Sequence, residues 1–211
     1  MSNVKFIKFP SLENTYREKE ISRIIEQGLD KQKYIVTEKV HGAHFDFYVS
    51  CDESVNEVVI NCAKRTSFIG EDEKFFNYKP VLEKYRNALI ALYNTHSLNG
   101  DTLVVCGELF GGNIQSNMSY PLHQDFVGYD VKFLNNDYTN VLSKCEALDM
   151  LRHFGIPSIP VIGVFDSLHE ALEVNEYFDS HLTRDGYDGD DSSKEAEGVV
   201  IEPVVPSFTK D

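Results

Sequence analysis

Phe45, Phe47 and Val49 recur at every second position, the period of a half-buried strand. Two further short β-like stretches, Tyr34 to Glu38 and Val58 to Cys62, lie on either side, and Asp52, Ser54 and Asn56 predict a hairpin turn before the last of them. Helical spacing shows where Ile21, Ile24 and Ile25 share a face; Thr15-Tyr-Arg-Glu18 has the form of a capping box and Gly28 supplies the stop. Leu82, Tyr85, Leu89 and Leu92 predict a second helix, and Leu103 to Cys106 and Phe126 to Phe133 two buried strands. Asn135-Asn136-Asp137 turns the chain into a helix from about Val141 to Phe154, which Gly155 and Pro157 end. Ile159 to Phe165 then predicts a strand, Ser167 caps an acidic helix running to Phe178, and Gly198 to Ile201 forms the last strand. No regular βαβ alternation runs through this order. It predicts an α+β fold of mostly antiparallel sheets with flanking helices, in one domain over residues 1–211.

Charge narrows the partners. The chain carries 34 acidic side chains against 20 Lys and Arg, a formal net charge of −14, which excludes binding nucleic acid through bulk charge alone. Eleven of the acids and only two of the bases fall between Asp166 and Glu197, so the rest of the chain is close to balanced and leaves room for a local basic cleft. Residues 179–196 read by composition as an acidic mobile loop; Asp185 to Asp191 lacks the spacing and closing Glu of a calcium loop. No apolar run approaches a membrane span and Met1 to Pro10 has no signal-peptide core, so an intracellular, cytoplasmic protein without a membrane partner is expected. Cys51, Cys62, Cys106 and Cys145 show no CxxC or Cys/His spacing and are expected as free thiols.

Lys39 follows one apolar strand and precedes another, with His41-Gly42 directly after it. A lysine at a strand end, beside a glycine that permits close approach, is a candidate covalent nucleophile, although Lys-x-x-Gly alone is a weak signal. The stretches that follow add weight. Cys62-Ala-Lys-Arg-Thr66 ends a strand with two cations, Gly107-Glu-Leu-Phe-Gly-Gly112 closes another with a carboxylate, Phe126-Val-Gly-Tyr-Asp-Val131 sets an aromatic within a strand, and Glu197-Gly-Val-Val-Ile201 opens a strand with a carboxylate. A nucleophilic lysine, cations for phosphate, carboxylates for metal or ribose and an aromatic for a base together suit nucleotidyl transfer.

These stretches, in this order, resemble the motifs of the covalent nucleotidyltransferases, and within them the RNA ligase 2 family of bacteriophage nick-sealing ligases and kinetoplastid RNA-editing ligases. Glu38-Lys-Val-His-Gly42 is similar to their first motif, and Ser11-Leu-Glu-Asn14 to their N-terminal stretch. The resemblance implies an ATP-grasp-like adenylyltransferase domain and an ATP-dependent RNA ligase that joins RNA 3′-OH and 5′-phosphate ends. Lys39 would attack the α-phosphate of ATP as the neutral amine, expel pyrophosphate and hold AMP as a phosphoramidate. Glu38 and Val40 would flank the adenine, Phe126 would stack on it, and Val199 would line the same pocket. Arg65, with Lys64, would contact ribose or phosphate. Glu108 and Glu197 would bind ribose hydroxyls or the hydration shell of Mg²⁺ or Mn²⁺. His41 would serve the later, RNA-dependent steps.

Three departures qualify the match. His44 stands where the family usually has asparagine, a ribose or metal-shell contact, and can still make one hydrogen bond there. Glu202 stands where a basic residue is common, exchanging a cation near the phosphates for an anion. The family continues past a proline-aromatic turn, here Pro206-Ser-Phe208, into a strand with a Lys-x-Lys motif and a C-terminal RNA-binding domain, and both are expected to be absent from these 211 residues. The alternative left open is a shortened relative that holds a nucleotide or an RNA end without chemistry.

Overall fold

A computed structural model describes residues 4–9, 17–52, 54–97, 101–115, 118–135, 139–183 and 194–207. Its larger sheet is built by β2 (Ala43–Asp52), β3 (Glu57–Lys64), β4 (Ser67–Phe68), β5 (Thr102–Phe110), β6 (Asp125–Leu134) and β7 (Thr139–Val141), in the order β4-β3-β2-β5-β6-β7. A smaller sheet places β1 (Tyr34–Glu38) between β8 (Val161–Phe165) and β9 (Val199–Pro203). Every strand pairing in both sheets is antiparallel, in agreement with the expected class.

The period of two seen in the sequence sorts the faces of the larger sheet. Phe45, Phe47 and Val49 of β2, Leu103 and Val105 of β5, and Phe126 and Val131 of β6 form one buried cluster with Tyr85, Leu89 and Leu92 of α2 (Tyr78–His96). The opposite face carries Tyr48, Ala63, Val104 and Cys106, packed against Val4, Phe6 and Phe9. A third cluster joins the sheets, with Ile35 of β1 and Val40 meeting Phe110, Val127 and Leu148. Candidate residues carried by both sheets meet at one cleft between them. No described helix is long and apolar enough to cross a membrane.

Three helix boundaries differ from expectation. α1 spans Glu18–Glu26 with Arg17 at its N-cap and no side-chain cap; Thr15 and the Ser11 to Asn14 stretch lie outside the described residues. α3 runs over Lys144–His153 because Val141 pairs in β7, and Ser143 with Glu146 forms the capping box that starts the helix. α4 covers only Leu168–Leu172: Ser167 caps it as expected, but Asn175 exchanges hydrogen bonds with the Tyr177 backbone and turns the chain out of the helix before Phe178. The expected mobile loop is built in at both ends, where Asp179 bridges to Glu195 and Ser180 is buried; Asp185 to Asp191 lies outside the described residues.

Candidate active site

β1 ends at Glu38, and the next residue, Lys39, sits at the mouth of a cleft of about 330 Å³ between the two sheets, within the ~300–1,000 Å³ usual for small-molecule sites. Its backbone N–H donates to the Gly198 carbonyl at 2.9 Å. Its Nζ lies 2.5 Å from Glu197 Oε1, with 47% of the Lys39 side chain exposed. Gly198 has a φ of 137°, a conformation that favours glycine, and thereby turns the chain between Glu197 and β9. Gly42 is fixed by crowding: a Cβ there would stand 2.4 Å from the Leu109 carbonyl oxygen of β5.

The cleft brings together Glu38, Lys39, Val40, His44, Arg65, Glu108 and Glu197 from the expected set. Glu108 is aimed into it from β5, directly across the ladder from His44. Burial, followed by the nearby Glu197 and Asp46 carboxylates, pushes the Glu108 carboxyl up to about 8, against the pull of Arg65 and Lys39. Its Oε2 is buried without a hydrogen-bond partner, as is Thr37 Oγ1 in the same lining. Unsatisfied buried polar atoms are costly, and two in one cleft point to a polar ligand that completes them.

Four expected residues fall elsewhere. Phe126 is 0% exposed, with its ring 4.9 Å from that of Phe47 on the α2 side of the sheet, so it is a core residue and cannot stack on a base. The aromatic of that strand in the cleft is Tyr129, carried by a β-bulge in which Gly128, Tyr129 and Asp130 span the Gly107–Cys106 step of β5. Val199 packs with Tyr34, Val36, Ile21 and Ile24 on the far side of the small sheet, and its neighbour Val200 faces the cleft. Lys64 is engaged by the Glu73 carboxylate and does not line the cleft, leaving Arg65 as the cation of that strand end. The His41 side chain is also outside the lining; its backbone N–H is anchored on the Tyr120 hydroxyl at 3.1 Å. Alternation along β9 already separates Val199 from Val200, so that signal was present in the sequence, whereas along β6 the bulge breaks the alternation and brings Phe126 onto the same face as Val131 and Phe133.

The structure also explains two departures. His44 Nδ1 lies 2.6 Å from the Tyr129 hydroxyl and Nε2 3.0 Å from Asp46 Oδ2. Burial, then Glu108 and other acidic neighbours, raises the Tyr129 phenol well above its ordinary value, so it stays protonated and donates to Nδ1, leaving Nε2–H to donate to Asp46. Phe9 packs 5.0 Å from the His44 ring and 5.3 Å from Tyr129. Glu202 is not a free anion: Lys144, 5% exposed, places Nζ 2.8 Å from Glu202 Oε2 and 2.6 Å from Asp130 Oδ1, and also donates to the Tyr129 carbonyl at 3.1 Å. Burial pulls the Lys144 amine down, but the two carboxylates outweigh it and hold the amine above its ordinary value.

Among the described residues no three His, Cys, Asp or Glu side chains converge as a metal cage. Glu108 with its unpartnered Oε2, and Glu197 beside it, suit instead a hydrated divalent ion that shares its shell with phosphates.

A family model described as RNA ligase matches residues 32–211. The chain belongs to the RNA ligase family. Among its relatives is the mitochondrial RNA-editing ligase 2 of Trypanosoma brucei brucei, 31% identical over 111 residues, which are 51% of this chain and 26% of that protein. The mitochondrial RNA-editing ligase 1 of the same organism is 33% identical over 100 residues, 44% of this chain and 21% of that one. A Naegleria gruberi RNA ligase variant solved with AMP and manganese superposes with a TM-score of 0.66 at 19% identity, over 96% of this chain and 55% of that chain. Another, solved with ATP and manganese, gives 0.64 at 19% identity, over 94% and 54%. This family member thus spans about half the length of those solved chains and matches about a quarter of the editing ligases. At such identity the superpositions speak for the fold, which is the α+β ligase fold expected from the motifs.

Proposed function

We propose that this chain carries the adenylyltransferase core of an ATP-dependent RNA ligase, with Lys39 as the nucleophile. The observation that carries the reading is the placement of Lys39 Nζ against Glu197 at the mouth of a cleft that also holds Arg65 and the orphaned Glu108 Oε2. The Lys39 lone pair forms an N–P bond to the α-phosphorus of ATP while the α,β-bridging P–O bond breaks and its electrons leave with pyrophosphate. Glu197, within hydrogen-bond reach, takes the proton that Nζ sheds. Arg65 faces the phosphates and Tyr129 offers its ring to the base from the bulge. With its carboxyl raised to about 8, Glu108 can donate a hydrogen bond to a ribose oxygen, and in ionised form it would help to hold a hydrated divalent metal. A divalent ion held at Glu108 and Glu197 would offset phosphate charge.

An RNA 5′-phosphate oxygen then attacks the same phosphorus and frees the amine, and a 3′-hydroxyl displaces AMP to seal the strand. His41, outside the cleft, is free to serve these RNA-dependent steps by positioning or phosphate contact. Four unpaired cysteines favour a reducing, intracellular and cytoplasmic setting. The test is incubation with ATP, Mg²⁺ or Mn²⁺ and a 5′-phosphorylated RNA, reading pyrophosphate release and adenylated RNA. Both are expected; nucleotide binding without either product would favour a relative that holds a nucleotide or an RNA end without chemistry.

A further inference from the structure

Lys39 to Gly42 join β1 to β2 outside either strand, so no ladder fixes the stretch that carries the lysine. Separate anchors hold it instead. Ahead of it, the Glu38 N–H donates to the Pro160 carbonyl at 3.0 Å and the Lys39 N–H to the Gly198 carbonyl. The buried Glu38 carboxylate accepts from the Ser180 hydroxyl and from the His181 N–H at 2.9 Å. Behind it, Gly42 lies against the Leu109 carbonyl. Between these points the His41 N–H donates to the Tyr120 hydroxyl at 3.1 Å, a contact across 79 positions of the chain.

Several features bring that hydroxyl there. After β5, Gly111 (φ 77°) and Gly112 (φ 58°) turn the chain, and a Cβ on Gly111 would stand 2.8 Å from the Pro121 carbonyl oxygen, so glycine lets the returning segment come close. The Gly112 N–H donates to the same carbonyl at 2.9 Å. Tyr120 is 4% exposed, its ring meets that of Phe110 edge-on at 5.4 Å, and Val40 belongs to the same buried cluster. Burial raises the phenol above its ordinary value and keeps it neutral. Tyr120 lies outside the cleft lining, so it reaches a bound ligand only through the turn it holds.

We infer that Tyr120 is a positioning residue for the nucleophile: its ring packs in one cluster with Val40 and its hydroxyl ties down His41, which fixes the direction in which the Lys39 side chain leaves the backbone for Glu197. This rests on the reading of Lys39 as the nucleophile. Attack on phosphorus requires Nζ in line with the bond that breaks, and a small misplacement there costs rate and not binding. Tyr120→Phe keeps the ring and removes the acceptor. Leu148→Val trims the same buried cluster and leaves the acceptor in place.

Single-turnover formation of the AMP adduct, with ATP affinity by calorimetry and the melting temperature beside it, tests the inference. At saturating ATP the rate is expected to fall about tenfold in Tyr120→Phe with ATP affinity close to the parent's, while Leu148→Val melts earlier and keeps the parent rate. A Tyr120→Phe rate equal to the parent's, a loss that saturating ATP restores, or an equal loss in Leu148→Val would overturn the inference and leave Lys39 as the nucleophile. A folded parent that forms no adduct on Lys39 would overturn the reading of Lys39 and this inference with it.

Discussion

Replacing Glu108 by Gln isolates the carboxyl that the fold holds furthest from its ordinary chemistry. Burial in β5, with Glu197 and Asp46 nearby, raises it from 4.5 to about 8, so between those two values the folded chain keeps a proton that the unfolded chain has lost. The folded-state value is the raised one. Its stabilising contribution is therefore fully present below the unfolded value and is lost as pH rises through about 8. At 1.36 kcal/mol per unit of separation the loss approaches ~5 kcal/mol, an upper figure because water reaches the cleft. Gln has the same shape and never ionises, so the variant lacks this slope. Urea denaturation of both proteins from about pH 5 to about pH 9 reads it as a difference, in which every other titrating group cancels. The parent should lose stability relative to Glu108→Gln as pH rises, with the variant the more stable of the two at the alkaline end. Parallel curves for the two proteins would refute the burial argument and remove the basis for a neutral Glu108 in the cleft.

Further outcomes follow from the same geometry. Lys144→Met leaves the buried Asp130 and the half-buried Glu202 without their cation and should cost ~3 kcal/mol in chemical denaturation, most of it regained when Asp130→Asn and Glu202→Gln are added; no recovery in the triple variant would show that Lys144 acts by packing. Phe126→Ala opens a cavity against Phe47 and Tyr85 and should cost ~3–5 kcal/mol of stability, with nucleotide affinity measured on the remaining folded protein unchanged. Tyr129→Leu should do the reverse, weakening ATP binding by calorimetry with a smaller effect on stability, and equal behaviour of the two variants would undo the assignment of Tyr129 to the base.

Much of the fold is legible in local periodicity because these strands are sorted by one buried face: the alternation of Phe45, Phe47 and Val49, and the helical spacing from Tyr85 to Leu92, survive intact. The ends of helices are less legible. Asn175 and Ser143 act through their own side-chain hydrogen bonds and override the apolar pattern around them, which shortens α4 and delays α3. At the site, Lys39, Glu108 and Glu197 are each weak signals alone and stand out through the order of the charged stretches that carry them along the chain. Val199 was misplaced because motif order outweighed strand parity, and Phe126 because the bulge at Tyr129, which leaves no mark in the sequence pattern, decides which aromatic of β6 meets the cleft. Ser180 and Lys144 carry no local sign at all. Their partners Glu38, Asp130 and Glu202 lie far along the chain, and only the pairing of β1 with β9 and the docking of α3 on β6 bring them together.

The most direct measurement is the intact mass of the chain after incubation with ATP and Mg²⁺ or Mn²⁺, beside Lys39→Ala, with peptide mapping of any adduct. A gain of one AMP, located on Lys39 and missing from the variant, is the predicted result. An adduct on another residue, or one that persists in Lys39→Ala, would contradict the assignment of Lys39 as the nucleophile.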